Sequence, residues 1–180
     1  IMKLTRIFST ALCFLIFFAL SGIFAFGATS QKKSENHPLM MLRLRPTNTD
    51  TDEAWNETYK IIRDNPGCCD EVWFSTGMGF LPQEWHEDKV ARISRAMAQL
   101  KEIGIGSSLQ FQMTIGHGDK FGVGNEHLYA EKTWRGWTGS QGVEAKYSSC
   151  PRNPEFRDYI RNVSRIYASL KPAYIWVDDD

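Results

Sequence analysis

The sequence predicts an α/β protein, and in particular the N-terminal half of a TIM barrel, (β/α)₈, with about four βα units. Two observations predict this class. Apolar runs of strand length alternate with stretches in which apolar residues recur at helical spacing, which is typical of a parallel sheet. The turn after the first predicted strand, Arg45-Pro46-Thr47-Asn48, is not the glycine-rich turn of a dinucleotide-binding sheet. The alternative is an open doubly wound sheet.

The length of the chain predicts that the barrel is truncated after its fourth strand. Complete barrels of this type have about 250 residues, whereas this chain has 180. A fourth strand at the end of the chain would have one edge unpaired. Ile1 also precedes Met2, as expected for a fragment translated from incomplete DNA.

Composition indicates an ordered globular protein without a polyanionic partner. The chain is 42% hydrophobic and 13% aromatic, which is enough to build a core. Lys plus Arg and Asp plus Glu number 21 each, so the formal charge is zero. This balance gives no electrostatic reason to expect nucleic acid or an anionic membrane as a partner.

The N-terminal segment predicts a secretory signal peptide. Lys3 and Arg6 precede an apolar run from residue 11 to 26, and small residues follow it. A retained membrane anchor is the alternative, although the run is short for a membrane span. The predicted organisation is a signal peptide at 1–27, a polar linker at 28–38 and the half barrel at 39–180. We expect a secreted or periplasmic protein that has no membrane contact after cleavage.

Four strands and three helices can be placed along the chain. The predicted strands are residues 39–46, 70–79, 107–116 and 173–177. The first two helices are indicated by the apolar stripes Trp55, Tyr59 and Ile62, and then Val90, Ile93, Met97 and Leu100. A long connection, residues 117–152, separates the third strand from a helix that opens at Asn153-Pro154, a good N-cap followed by proline.

Polar side chains follow the predicted strands at their carboxyl ends, where parallel α/β folds assemble their sites. In chain order these residues are Arg45, Ser75 and Thr76, His117 and Asp119, and finally Asp178, Asp179 and Asp180. We expect them to surround one mouth.

The terminal aspartates are the candidate catalytic residues. Barrel interiors favour branched aliphatic side chains, so Ile175 and Val177 are expected to point inward and Tyr174 and Trp176 outward, under helices. Continuing this alternation places Asp179 in the mouth. Like-charged neighbours favour the protonated form that a general acid needs. No cofactor is expected, although three carboxylates could also bind Ca²⁺, and an exposed aspartate could instead cap the next helix.

The long connection is rich in aromatic residues and predicts a sugar-binding surface. Trp134 and Trp137 lie in a stretch that predicts a hairpin turning at residues 139–142. Exposed rings at a barrel mouth can stack on the apolar faces of sugars. The alternative is a local core that holds the connection together. His117 could bind a substrate hydroxyl or have no role.

Two further features of the sequence do not predict a functional site. His86-Glu87 lacks the second histidine of a zinc protease motif and is expected on an exposed helical turn. Cys68, Cys69 and Cys150 are expected to be buried thiols, because a bridge from either of the first two to Cys150 would span the length of a strand.

Four blocks of sequence resemble secreted bacterial glycoside hydrolase-like (β/α)₈ proteins. The blocks are "CCDEVWFSTGMGF", "TIGHGD", "CPRNPEFRDYI" and "YIWVDDD", and the similarity covers residues 39–180. The resemblance implies a glycosidase with an acid/base carboxylate at the end of strand four, which maps onto Asp178, Asp179 and Asp180.

Three functional hypotheses follow. The first is a secreted enzyme that hydrolyses oligo- or polysaccharides, with Asp179 as acid, His117, Asp119, Trp134, Trp137 and Arg45 binding substrate, and its second carboxylate in the missing half. The fragment alone would then be inactive. The second is a non-catalytic carbohydrate-binding barrel. The third is a metal-dependent hydrolase or isomerase.

Overall fold

The computed structural model describes residues 39–112 and 115–178, which belong to one compact unit, Pro38–Asp180. The predicted signal peptide and linker lie outside the described residues, as do Asp179 and Asp180. No helix among the described residues is long and apolar enough to cross a membrane.

Four parallel strands form one sheet in the order β1-β2-β3-β4. Their bounds are Met41–Arg43 for β1, Glu71–Ser75 for β2, Gly106–Phe111 for β3 and Ile175–Val177 for β4. All four predicted strands are confirmed, although each is shorter than predicted. The sheet is compatible with part of a repeating βα fold.

Three long helices connect or flank the strands, as predicted. The long helices are α1 (Asp52–Asp64), α2 (Gln83–Glu102) and α4 (Pro154–Ala168), and a short helix, α3 (Gly118–Gly122), lies between α2 and α4 in the chain. Side chains cap α1 and α4: Thr51 Oγ1 accepts a hydrogen bond from Ala54 N at 3.1 Å, and Asn153 Oδ1 accepts one from Glu155 N at 2.9 Å. These caps satisfy backbone donors that the first turn leaves without partners.

The two faces of the sheet differ in composition. Val72 and Phe74 of β2 and Leu109 and Phe111 of β3 pack into a buried core with residues of α1, α2 and α4. The alternate residues point to the opposite side, which we call the polar face. The polar face carries Arg43 of β1, Glu71, Trp73 and Ser75 of β2, Ser108 and Gln110 of β3, and Trp176 of β4.

The predicted orientation of β4 is wrong. Ile175 is in register with Leu109, on the helix-covered side, whereas Trp176 is in register with Gln110 on the polar face. The prediction assumed that branched aliphatic residues fill a barrel interior, but here Ile175 and Val177 lie on the helix-covered side of the sheet, where both remain exposed. With the faces exchanged, Asp178 follows Trp176 on the polar face. The argument that aimed Asp179 into the mouth therefore fails, and Asp179 itself lies outside the described residues.

The long connection packs around its own aromatic cluster. Phe80, Tyr129, Trp134, Tyr147 and Phe156 are all buried in this second cluster. The predicted hairpin is confirmed: Thr138 and Glu144 form an antiparallel bridge, and Gly142 N donates to Gly139 O at 3.0 Å. The aromatic residues of this connection therefore do build a local core, as the alternative interpretation proposed.

Two minor predictions need correction. His86 is fully buried rather than exposed, because it lies on the side of α2 that faces α4. Of the three cysteines among the described residues, Cys69 is buried, Cys150 is half-buried and Cys68 is exposed, and all three are free thiols. The turn at Asn65-Pro66-Gly67 brings Cys68 to the surface.

Candidate functional site

A groove with aromatic walls lies on the polar face of the sheet. Met41, Arg43, Trp73 and Trp176 line this groove, which has a volume of about 320 Å³. The rings of Trp73 and Trp176 meet edge to face, with centroids 5.3 Å apart and planes inclined at 65°. The two tryptophans come from strands that are not neighbours in the sheet, so the groove depends on the parallel pairing of all the strands.

Asp178 lies at one end of this groove and is held by two partners. Its backbone N donates to Phe111 O at 3.0 Å, which extends the pairing of β3 with β4. Its Oδ2 accepts a hydrogen bond from Gln110 Nε2 and lies 3.9 Å from Arg43 Nη1. The guanidinium of Arg43 lies 6.0 Å from the ring centroid of Trp176. The structure therefore joins Asp178, Arg43 and the tryptophan pair into one site.

The polar face also carries buried polar atoms that lack a hydrogen-bond partner among the described residues. They are Glu71 Oε1, Trp73 Nε1 and Gln110 Oε1. A buried donor or acceptor without a partner costs about 1–3 kcal/mol, and native proteins leave few of them. One donor and two acceptors on the face that carries the groove are suited to a ligand with hydroxyl groups, which both donate and accept.

Ser75 and Thr76, two predicted mouth residues, are buried and bonded to the protein itself. Ser75 Oγ donates to Gln112 Oε1, and Thr76 Oγ1 donates to Gln110 O at 3.2 Å. Backbone N–H groups of Gln112 and Gly77 in turn donate to these hydroxyls. These bonds fix the carboxyl ends of β2 and β3 and leave neither hydroxyl exposed to a ligand.

Asp119 was predicted to bind substrate, but its carboxylate instead holds the long connection. Its Oδ1 accepts a hydrogen bond from Tyr147 N at 2.8 Å, and its Oδ2 accepts one from Lys146 N at 3.1 Å. Both oxygens are thus used by backbone groups 27 and 28 residues further along the chain. Asp119 is a structural residue of this connection.

Replacing Asp119 with alanine is expected to lower the free energy of unfolding by about 2 kcal/mol, because two backbone donors lose a charged acceptor. Hydrogen exchange at the Lys146 and Tyr147 amides should become faster. Asp158→Ala is the matched control, since it removes a carboxylate that contacts only the exposed Arg161 side chain. Unchanged exchange at both amides in Asp119→Ala would contradict this role.

Trp134 is not a stacking platform. Its side chain is buried, its Nε1 donates to Ser149 Oγ at 2.6 Å, and its ring packs edge to face on Phe80 with centroids 5.1 Å apart. Trp137 on the hairpin is 51% exposed and is free to contact a ligand. The hairpin that carries Trp137 is braced by Arg135, whose Nε and Nη2 both donate to Glu144 Oε2 at 2.9 and 2.8 Å.

The remaining predicted residues lie on loops at the carboxyl end of the sheet. The side chain of Arg45 is exposed, and its backbone N donates to Asn48 Oδ1 at 2.9 Å. The ring of His117 packs against Phe121 with centroids 5.2 Å apart. In the described part of the chain, neither residue lines the groove.

The described residues offer no preformed metal site. Across residues 39–112 and 115–178, no group of three or more His, Cys, Asp or Glu side chains is placed to hold a metal ion. Two of the three aspartates considered for Ca²⁺, Asp179 and Asp180, lie outside these residues.

Comparison with known proteins supplies no family. No family model, no curated protein and no solved structure matches the chain.

Sequence reasoning missed the groove because it assigned the faces of β4 from aliphatic branching alone. The alternation of polar and apolar residues in β2 and β3 is the pattern from which the two faces of the sheet could have been assigned. In β2 the polar Glu71 and Ser75 alternate with Val72 and Phe74, and in β3 Ser108 and Gln110 alternate with Leu109 and Phe111. These patterns already indicate a polar face opposite the helices.

Proposed function

We propose that this chain is the N-terminal half of the (β/α)₈ barrel of a secreted, carbohydrate-active protein that hydrolyses glycosidic bonds with a carboxylate at the end of β4. The observation that carries the proposal is the groove lined by Trp73, Trp176 and Arg43, with the Asp178 carboxylate 3.9 Å from the Arg43 guanidinium. A supporting observation is that three buried polar atoms on the same face, Glu71 Oε1, Trp73 Nε1 and Gln110 Oε1, have no hydrogen-bond partner among the described residues.

Sugars suit this groove for a physical reason. A pyranose ring has apolar C–H faces and a rim of hydroxyl groups, so it can stack on an aromatic ring while its hydroxyls exchange hydrogen bonds with polar neighbours. Trp73 and Trp176 supply the aromatic surface, and the exposed guanidinium of Arg43 supplies hydrogen-bond donors beside it.

Asp178 replaces Asp179 as the preferred catalytic carboxylate. Its carboxylate lies on the polar face beside Arg43 and Gln110, whereas Asp179 and Asp180 lie outside the described residues. Glycoside hydrolysis uses two carboxyl groups, one of which protonates the leaving oxygen while the other acts as nucleophile or as base on water. We place the second group outside this chain, so we expect no hydrolysis by the chain alone, and release of reducing sugar by it would contradict this part of the proposal.

Replacing Trp176 with alanine is expected to weaken oligosaccharide binding at least tenfold, because half of the stacking surface is lost. Isothermal titration with a panel of soluble oligosaccharides measures this change. Ile175→Ala is the matched control, since it shortens an exposed side chain of the same strand on the opposite face.

Two outcomes would contradict the groove as the binding site. One is equal affinity of the Trp176→Ala variant and the unmodified protein. The other is loss of binding in Trp137→Ala but not in Trp176→Ala, which would place the sugar on the hairpin.

A non-catalytic carbohydrate-binding protein is a second candidate. It is favoured by the hydrogen bond from Gln110 and the nearby charge of Arg43, which hold the Asp178 carboxylate as a hydrogen-bond acceptor. Asp178→Asn distinguishes the two candidates in a protein that carries both carboxylates: an enzyme loses turnover, whereas a binding protein has none to lose.

A further inference from the structure

We propose that Arg43 selects acidic glycans, so that the sugar bound in the groove carries a carboxylate that the guanidinium recognises. This inference rests on the proposed function and adds the class of sugar to it. Arg43 is the one cationic side chain among the described residues that line the groove.

The first argument is that Arg43 has donors to spare. Its side chain is 58% exposed, and no hydrogen bond from its guanidinium to another described residue is formed. Among the described residues, its ion-pair partner is Asp178, whose Oδ2 is 3.9 Å away, which is beyond hydrogen-bond distance, and that oxygen already accepts a bond from Gln110. An ion pair without a hydrogen bond, in which the arginine is mostly exposed, is weak and easily replaced.

The second argument is geometric. Arg43 is in register with Trp73 on the neighbouring strand, and its guanidinium lies 6.0 Å from the ring centroid of Trp176. The charged group therefore lies beside the Trp176 wall of the groove. A planar guanidinium binds a carboxylate through two parallel hydrogen bonds, so a sugar stacked on Trp176 with its C5 carboxyl group toward Arg43 can form both of them.

The third argument concerns desolvation. A ligand that fills the groove removes water from the guanidinium, and burying a charge is costly unless it is paired. A neutral sugar offers only hydroxyl groups in return. A uronic acid offers a formal negative charge with the matching geometry.

The test compares acidic oligosaccharides with their own carboxyl-reduced forms. The probes are tetrasaccharides of galacturonic, glucuronic and mannuronic acid and the three neutral tetrasaccharides made by reducing their carboxyl groups. Isothermal titration gives Kd for each pair, so linkage and ring stereochemistry are the same within a pair.

We expect the unmodified protein to bind the acidic member of at least one pair at least tenfold more tightly than its reduced form. Arg43→Gln should abolish that preference, so that the acidic and the neutral member of the pair bind with equal affinity. Arg63→Gln, which alters an exposed arginine on α1 beside Asp64, is the control and should keep the preference. Circular dichroism confirms that each variant folds.

Three results would overturn the inference, and they are distinguishable. Equal or tighter binding of the neutral member in every pair that binds refutes selection of acidic glycans but leaves the carbohydrate site intact. A preference that survives in Arg43→Gln refutes the role of this residue. Failure of all six sugars to bind refutes both the inference and the proposed function on which it rests.

Discussion

Replacing Phe80 with alanine is expected to lower the free energy of unfolding by about 4 kcal/mol, the usual range for deleting a fully buried aromatic ring. Phe80 is completely buried and its ring contacts four aromatic neighbours edge to face or nearly so. Those neighbours are Tyr129, Trp134, Phe156 and Tyr159. The cluster joins the segment after β2, the long connection and α4, so the cavity would lie where these three elements meet.

Urea unfolding followed by tryptophan fluorescence measures the loss. Phe80→Leu is the matched control, because it keeps much of the volume and should cost far less. The alanine variant should also expose the hairpin region to proteolysis, since the cluster contributes much of the packing of that connection. A loss below about 1.5 kcal/mol would show that the cluster can collapse around the deletion or that it contributes little to stability.

Lowering the pH from 7 to 4.5 is expected to remove about 2 kcal/mol of stability through His86 alone. His86 is fully buried between two tyrosines, with Nε2 at 2.9 Å from the Tyr159 hydroxyl and Nδ1 at 3.2 Å from the Tyr167 hydroxyl. Each hydroxyl also lies within hydrogen-bond distance of a backbone carbonyl oxygen, Leu81 O at 3.0 Å for Tyr159 and Thr76 O at 2.8 Å for Tyr167. The histidine therefore connects α2 with α4 and with the segment that follows β2.

Burial lowers the pKa of His86 from 6.5 to about 4, and a backbone hydrogen bond with Leu81 opposes this shift only in part. The folded protein thus favours the neutral ring, whereas the unfolded chain takes up a proton below pH 6.5. The stability is fully present above pH 6.5 and is lost progressively as the pH falls toward 4. The tyrosines do not titrate in this range, because burial raises the pKa of both Tyr159 and Tyr167.

The variant His86→Gln isolates this contribution. Carboxylates also lose stabilising interactions in acid, but their contribution is common to all variants and cancels in a comparison of pH profiles. His86→Gln should therefore show a smaller loss of stability between pH 7 and 4.5 than the unmodified protein does. His127→Gln, at an exposed position, should leave the profile unchanged. Equal pH dependence in His86→Gln would exclude His86 as the titrating group.

The helix caps and the apolar stripes could be predicted from the sequence because each depends on residues that are close together in the chain. Thr51 and Asn153 cap helices whose stripes recur at every third or fourth residue, and both helices form as predicted. Gly139 and Gly142 likewise define the hairpin through local turn chemistry. Each of these signals is complete within a window of a few residues.

The roles of residues whose partners are far away in the sequence could not be predicted in this way. His86 belongs to a stripe-bearing helix, but its burial depends on Tyr159 and Tyr167, which lie more than 70 residues away in the sequence. Asp119 was recognised as polar and well placed, but its partners, Lys146 and Tyr147, lie at the far end of the long connection. The residue type suggested a ligand contact, whereas the fold uses the carboxylate for itself.

The sequence by itself determined the α/β class, the four strands, the three long helices and the hairpin, because alternation, helical periodicity and capping are local properties of the chain. Only the tertiary structure decided which side of β4 faces the helices, and with it that Trp176 and Asp178 join Trp73 and Arg43 in one groove. The physical reason is that a short strand with apolar residues on both sides has no preferred face of its own. The register with β3, fixed by backbone hydrogen bonds, makes that choice.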